Sequence, residues 1–306
     1  MCRLFALTTC GPRVQASHWL LDSLSSFREQ SRKQPDGTGF GWFSLGDEPV
    51  RDRSPIGAFK NEDFTVSADQ IVSHTLVSHV RYGTRGEVDV HNCHPFDIHD
   101  RLFAHNGCIR GVDTIDSWLT DVDRAHVEGA TDSETAFAFI SAEILRVGDT
   151  TEGIISAVRR MAAEIPIFSL NLVLAEPRRL WALRYPANCE LWVLNPDGGG
   201  FGSRRRGARP LYHRADASWV ADGEEEVPAW VVASERLDAD PDWRLLDPGE
   251  LLVIADGKAV SQYPIGGPAP PPPPRTPPPP GGGAPRNPAA QRTPARAGGG
   301  GRARAP

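Results

Sequence analysis

Short runs that alternate or cluster apolar residues fill most of the first 265 positions, and they predict strands at both ends of that stretch with helices between them. Residues 3–9 (RLFALTT) have the make-up of a buried strand, starting directly after Cys2. Val14, Trp19, Leu20, Leu24 and Phe27 recur at helical spacing and predict an amphipathic helix over about residues 14–30. The glycine-rich PDGTGFGWFSL (35–45) reads as a turn running into a strand, with a hairpin at Gly46–Asp47 ahead of VRDR. TLVSHVR (75–81) and RLFAHNG (101–107) are further strands.

TDSETAFAFISAEILRV opens with Thr131 and Glu134 at capping-box spacing and keeps Phe137, Ile140 and Ile144 on one face. A second helix follows in TTEGIISAVRRMAAEI. The chain then returns to strands: FSLNLVLAE, RLWALRYP, ELWVLN, AWVVASE, ELLVIA and KAVSQYPI. Strands and helices do not alternate strictly, which argues against a doubly wound parallel sheet and for a layered α+β body of largely antiparallel sheets.

Composition divides the chain near residue 266. Residues 266–306 hold half of the 28 prolines, six arginines (Arg275, Arg286, Arg292, Arg296, Arg302, Arg304) and no acidic residue. With almost no apolar side chain to offset ordering entropy, this tail is expected to be disordered, with polyproline-II stretches. It reads as a solvated extension, or as a segment that touches an anionic surface. The net charge is −6, so residues 1–265 carry −12, which argues against a nucleic-acid-binding body. No window approaches a membrane span, and the five widely spaced cysteines, with no CxxC pair, suit free thiols in a reducing cytosol. The expectation is a cytoplasmic protein with one domain over 2–265 and a tail over 266–306.

The second residue raises the chemical question. Loss of Met1 would leave Cys2 with both a thiol and a free α-amine, groups whose ordinary pKa values (~8.5 and ~7.7–8.0) make proton exchange inexpensive. Cys2 equally suits a small buried position at a strand start. Polar residues are dense in HVRYGTRGEVDVHNCHPF and in FAHNG, which end predicted strands or lie just beyond them. Asn106–Gly107 offers a side-chain amide and an unshielded backbone N–H, or simply a type I′ hairpin turn. Asp132 is favourable in the first turn of a helix whatever else it does.

MCRLFA, DGTGFGW, HVRYGTRG, AHNG and TDSE, in that order, resemble the glutaminase domain of class II glutamine amidotransferases, over roughly residues 2–265. The likeness is to stand-alone members, relatives of the ergothioneine-pathway γ-glutamyl hydrolase. It implies a four-layer αββα N-terminal-nucleophile hydrolase sandwich, with no cofactor. It implies Cys2 as nucleophile, Asn106 and Gly107 as the oxyanion hole, and Arg81 with Thr84 on the α-carboxylate of the substrate. Asp132 is implied on the α-ammonium, and Gly37, with Asp36 and Gly39, in a loop closing over the nucleophile. His94 is expected to be structural, hydrogen-bonded to backbone. The chain departs from the pattern at Gly83 and Arg85, which questions substrate breadth rather than the nucleophile.

The substrate is then glutamine or a γ-glutamyl amide, with any ammonia-accepting synthase expected on a separate chain. Two other readings compete. His91, Cys93, His94, His105 and Cys108 crowd within eighteen residues and include zinc's preferred ligands, though at no usual finger spacing. Alternatively, an inert body would carry a proline-rich tail for SH3-like partners.

Overall fold

The computed structural model describes residues 2–83, 86–205 and 224–265. Thr84, Arg85 and the tail over 266–306 lie outside the described residues.

Seven strands make one antiparallel sheet: β1 (Arg3–Thr8), β2 (Thr38–Phe43), β3 (Pro49–Ser54), β4 (Thr75–Val80), β9 (Trp192–Leu194), β12 (Trp230–Ala233) and β13 (Arg244–Leu245), in the order β13-β9-β12-β1-β4-β2-β3. Six make the other: β5 (Phe96–Ile98), β6 (Arg101–Ile109), β7 (Ile167–Glu176), β8 (Arg179–Leu183), β14 (Leu251–Ala255) and β15 (Lys258–Gln262), in the order β15-β14-β8-β7-β6-β5. A separate hairpin joins β10 (Phe201–Arg205) to β11 (Glu224–Pro228).

The two-residue period of each strand decides the layering. In β1, Leu4 and Ala6 pack with Leu102, Ala104, Val173 and Ala182 of the second sheet, while Phe5 and Leu7 face the other way. That outer face is covered by a π-helical turn (His18–Asp22), α1 (Phe27–Gln30) and α2 (Glu62–Gln70), through Trp19, Phe27 and Phe64. Beyond the second sheet lie α3 (Val112–Trp118), α5 (Asp132–Val147) and α6 (Thr150–Glu164), with the short α4 (Asp121–Arg124) between them; Phe137, Ile140, Ile154 and Val158 pack on Phe103 and Leu172. The layers are helix, sheet, sheet and helix, the αββα sandwich expected.

Three local expectations are corrected. The helix over 14–30 is broken, because Ser23–Ser26 leave helical geometry and Ser26 caps α1 through Glu29 N–H; Leu24 is 91% exposed. Asn106–Gly107 is no hairpin turn: both lie inside β6, opposite Asn171 and Leu170 of β7. The capping box at α5 is half made. Thr131 accepts from Glu134 N–H, but the Glu134 carboxylate turns back to the N–H groups of Glu128 and Gly129.

Candidate active site

Because β1 sits between β4 and β12, the residue just before it emerges at the middle of the sheet's end. Cys2 is that residue, and its alternation with Leu4 sends its side chain toward the second sheet. There the sulfur lies 3.3 Å from Tyr82 N and 3.5 Å from Tyr82 O, at the end of β4. Burial pushes the Cys2 thiol up; the Tyr82 N–H bond, the positive chain terminus and Arg81 pull the other way. The resting thiol is therefore protonated near neutrality, and any use of the sulfur as a nucleophile requires a base.

A small pocket is lined by Cys2, Arg81, Tyr82, Gly107, Asp132 and Ser133, among others. Four sequence-predicted site residues (Cys2, Arg81, Gly107 and Asp132) thus share one wall. Arg81 is 3% exposed and donates to Gly86 O at 3.2 Å. Its backbone is clamped by the loop at residues 36–37: Arg81 N–H donates to Gly37 O at 2.8 Å, Asp36 N–H donates to Arg81 O, and Asp36 Oδ2 accepts from Gly83 N–H at 2.8 Å. Gly37 has φ +155°, and a Cβ there would stand 2.5 Å from Cys93 Sγ, so this approach requires glycine. Gly37 thus supports Arg81 from behind, rather than lining the pocket.

Asp132 is the first residue of α5, where the helix dipole favours its charge. Its Oδ2 accepts from Ile109 N–H at 2.7 Å and its Oδ1 from Ser133 N–H at 3.1 Å, which aims the carboxylate while leaving lone pairs for a cation. Arg81 and Asp132 supply opposite charges on one pocket, the arrangement an amino-acid zwitterion needs.

Asn106 is 3% exposed on the inter-sheet face of β6; its Nδ2 donates to Ser234 Oγ at 3.1 Å, which leaves its second amide hydrogen for another acceptor. At Gly107, a Cβ would fall 2.0 Å from Ser169 O, so glycine lets β6 and β7 approach at this point.

Two buried histidines, His94 and His105, also line the pocket, and a third, His79, packs against His94. His105 donates from Nε2 to Ser169 O and accepts at Nδ1 from Ser133 Oγ at 2.8 Å, the tautomer that the carbonyl dictates. His79 Nε2 donates to His105 O at 3.2 Å. Burial holds all three imidazoles below their ordinary pKa, His79 to about 3. His94 does not bond backbone as expected. Among the described residues neither ring nitrogen has a hydrogen-bond partner, and the ring packs 4.1 Å from His79 and 4.5 Å from Phe96.

The five residues of the zinc reading do not converge: among the described residues, no group of three or more His, Cys, Asp or Glu could hold a metal ion. His91 bonds Asp89, and the Cys93 thiol points to the carbonyls of Ser54 and Asp89. Desolvation pushes Cys93 up to about 11, so this thiol is unreactive near neutrality.

Comparison with known proteins settles the family. Residues 1–276 match the class-II glutamine amidotransferases. The chain belongs to that family. It is 29% identical over 168 residues to a probable glutamine amidotransferase of Saccharomyces cerevisiae, DUG3, covering 48% of this chain and 47% of that one. It is 25% identical over 208 residues to the amidophosphoribosyltransferase of Methanocaldococcus jannaschii, covering 66% and 36%. The chain thus spans about half the length of DUG3 and about a third of the amidophosphoribosyltransferase.

Among solved structures, a class-II glutamine aminotransferase domain protein from Silicibacter pomeroyi superposes with a TM-score of 0.55 at 20% identity, over 86% of this chain and 99% of that one. The glutamine phosphoribosylpyrophosphate amidotransferase of B. subtilis superposes at 0.54 with 16% identity, over 86% and 49%. These likenesses establish the N-terminal-nucleophile fold. Among the described residues, no helix is long and apolar enough to cross a membrane.

Sequence reasoning missed Tyr82, whose backbone meets the sulfur, and Ser234, which meets Asn106. Tyr82 directly follows Arg81 in the quoted HVRYGTRG, so its place beside the site was readable. Ser234 carried no local signal.

Proposed function

We propose that the chain hydrolyses the γ-amide of glutamine, or of a larger γ-glutamyl amide, through a thioester at Cys2. The observation that carries this reading is the shared pocket of Cys2, Arg81, Gly107 and Asp132. Arg81 takes the substrate's α-carboxylate as a bidentate partner, with Thr84 as a further donor, and Asp132 takes the α-ammonium. The γ-carbonyl is then presented to the sulfur.

Removal of Met1 puts the α-amine on Cys2 itself. That amine accepts the thiol proton as sulfur attacks the carbonyl carbon of the γ-carboxamide, and Tyr82 N–H steadies the developing thiolate. The carbonyl π pair moves to oxygen, where Asn106 Nδ2–H and Gly107 N–H accept the charge as hydrogen-bond donors. Collapse of the tetrahedral intermediate breaks the carbon–nitrogen bond, and the amine returns its proton to the departing ammonia or amine. Water then cleaves the thioester by the same route in reverse, which releases glutamate and the free thiol.

Both charged partners address only the glutamyl half, so they do not select the amine side of the scissile bond. We take the protein to act in the cytoplasm, as a catalytic domain over residues 2–265 with a non-catalytic tail. Incubation with 6-diazo-5-oxo-norleucine, followed by peptide mass spectrometry, tests the mechanism. One adduct on a peptide that begins at Cys2 is expected; label elsewhere, or Met1 retained in active protein, overturns it. A screen of γ-glutamyl amides then identifies the leaving amine.

A further inference from the structure

The nucleophile and the oxyanion donors lie on different sheets: Cys2 precedes β1 of the first, while Asn106 and Gly107 belong to β6 of the second. Catalysis at one carbonyl requires the two sheets to keep a fixed offset, and apolar packing between them is non-directional. Ser234 is a polar side chain that bridges them beside the site. Ser234, immediately after β12, is 4% exposed. Its hydroxyl oxygen accepts from Leu4 N–H at 3.0 Å and from Asn106 Nδ2 at 3.1 Å. Its own N–H donates to Leu4 O at 2.9 Å, so the serine is locked to β1 by both polar groups of Leu4.

The next residue continues the tie. The Glu235 carboxylate pairs with Arg3, whose guanidinium also donates to Cys2 O at 3.1 Å. The dipeptide Ser234–Glu235 therefore grips residues 2, 3 and 4 on one side and the Asn106 carboxamide on the other.

We propose that Ser234 is a positioning residue for the oxyanion hole: its hydroxyl fixes the Asn106 carboxamide in register with the strand that carries Cys2. The inference rests on the oxyanion role given to Asn106 above. Holding one amide hydrogen on Ser234 Oγ sets the torsion of the carboxamide and so the direction of the second hydrogen. A preorganised donor is effective because it does not reorient as charge develops. Without the hydroxyl, Asn106 would keep its place in β6 but lose its aim. Ser234 touches no substrate atom, so substrate binding through Arg81 and Asp132 should be indifferent to it.

The test is steady-state kinetics on the full chain with glutamine, or with the γ-glutamyl amide that it cleaves fastest. Ser234→Ala should lower kcat by about 10- to 100-fold, below the ~10²–10³-fold typical of removing an oxyanion donor outright, with KM within about twofold. Ser234→Thr keeps the hydroxyl and should recover most of kcat; Ser234→Cys, nearly isosteric with a weaker acceptor, should fall between and serves if the threonine methyl is not accommodated. In an Asn106→Ala background, adding Ser234→Ala should change kcat less than about twofold, because the group it aims is gone.

Equal losses in the two backgrounds, or a lower melting temperature with kcat intact, would overturn the positioning role alone. Full kcat in Asn106→Ala itself would instead sink the oxyanion reading, and this inference with it.

Discussion

The sulfur of Cys2 lies 3.3 Å from the backbone nitrogen of Tyr82, eighty residues along the chain. Cys2 is thereby docked on the end of β4, next to Arg81. The contact uses main-chain atoms, so the Tyr82 side chain, 45% exposed, is dispensable to it. Tyr82→Ala should leave the pH midpoint of Cys2 alkylation where it is, whereas Tyr82→Pro, lacking the N–H, should raise that midpoint and slow turnover at least tenfold. Iodoacetamide kinetics against pH read both; the same midpoint in both variants would count against a role for this bond.

Charge recognition should appear in KM. A charge-assisted hydrogen bond contributes about 1.5–3 kcal/mol, so Arg81→Ala should raise KM by about 10- to 100-fold with kcat changed much less. Asp132→Asn keeps an acceptor for Ile109 N–H but removes the negative charge, and should also act on KM. Asn106→Ala should act on kcat. A swap of these signatures would reverse the roles given to Arg81 and Asn106.

Gly107→Ala should disturb folding as well as chemistry. Its Cβ would lie 2.0 Å from a backbone carbonyl, which cannot rotate aside, so β6 and β7 must separate. Overpacking of this kind costs about 1–3 kcal/mol. Urea denaturation measures the loss; unchanged stability would mean the ladder is looser here than the geometry implies.

Acid should weaken the protein through the buried histidines His79, His94 and His105. His79 titrates at about 3 when folded, against an ordinary value of ~6.5, and burial lowers His94 and His105 too. The unfolded chain therefore binds more protons than the folded one over that range. The stability from neutral burial is complete above pH ~6.5 and is lost as pH falls; for His79 the loss continues toward about 3, at up to ~1.4 kcal/mol per pH unit. Unfolding free energies at pH 7, 6 and 5 should show this slope, and His79→Gln should flatten it; a flat wild-type profile would contradict it.

Much of this was readable from the sequence where the signal was periodic or local. The runs beginning at Arg3, Thr75 and Arg101 are short strands buried on both faces, and Thr131 caps α5 as its spacing suggests. The order of Cys2, Arg81, Asn106–Gly107 and Asp132 pointed to one site. What failed was context. Asn-Gly favours a turn in isolation, yet pairing with Asn171 and Leu170 holds it extended. Val14 to Phe27 kept a helical apolar period, but Val14 pairs instead with Ser73 and the serines after Asp22 stop the helix. The tie from Asn106 to Ser234 spans 128 residues, and no local pattern encodes such a contact.

The place of β1 in its sheet bears on how the enzyme comes to life. Its neighbours are β4 and β12, and Phe5 pairs with Ala233. At about 5–20 residues per second of synthesis, the second partner leaves the ribosome roughly 10–50 seconds after the first strand. Until then β1 has an open flank on the side that β12 takes. The loss of Met1 that the proposed mechanism requires therefore has a window, which closes when that late partner arrives and pairs Ala233 with Phe5.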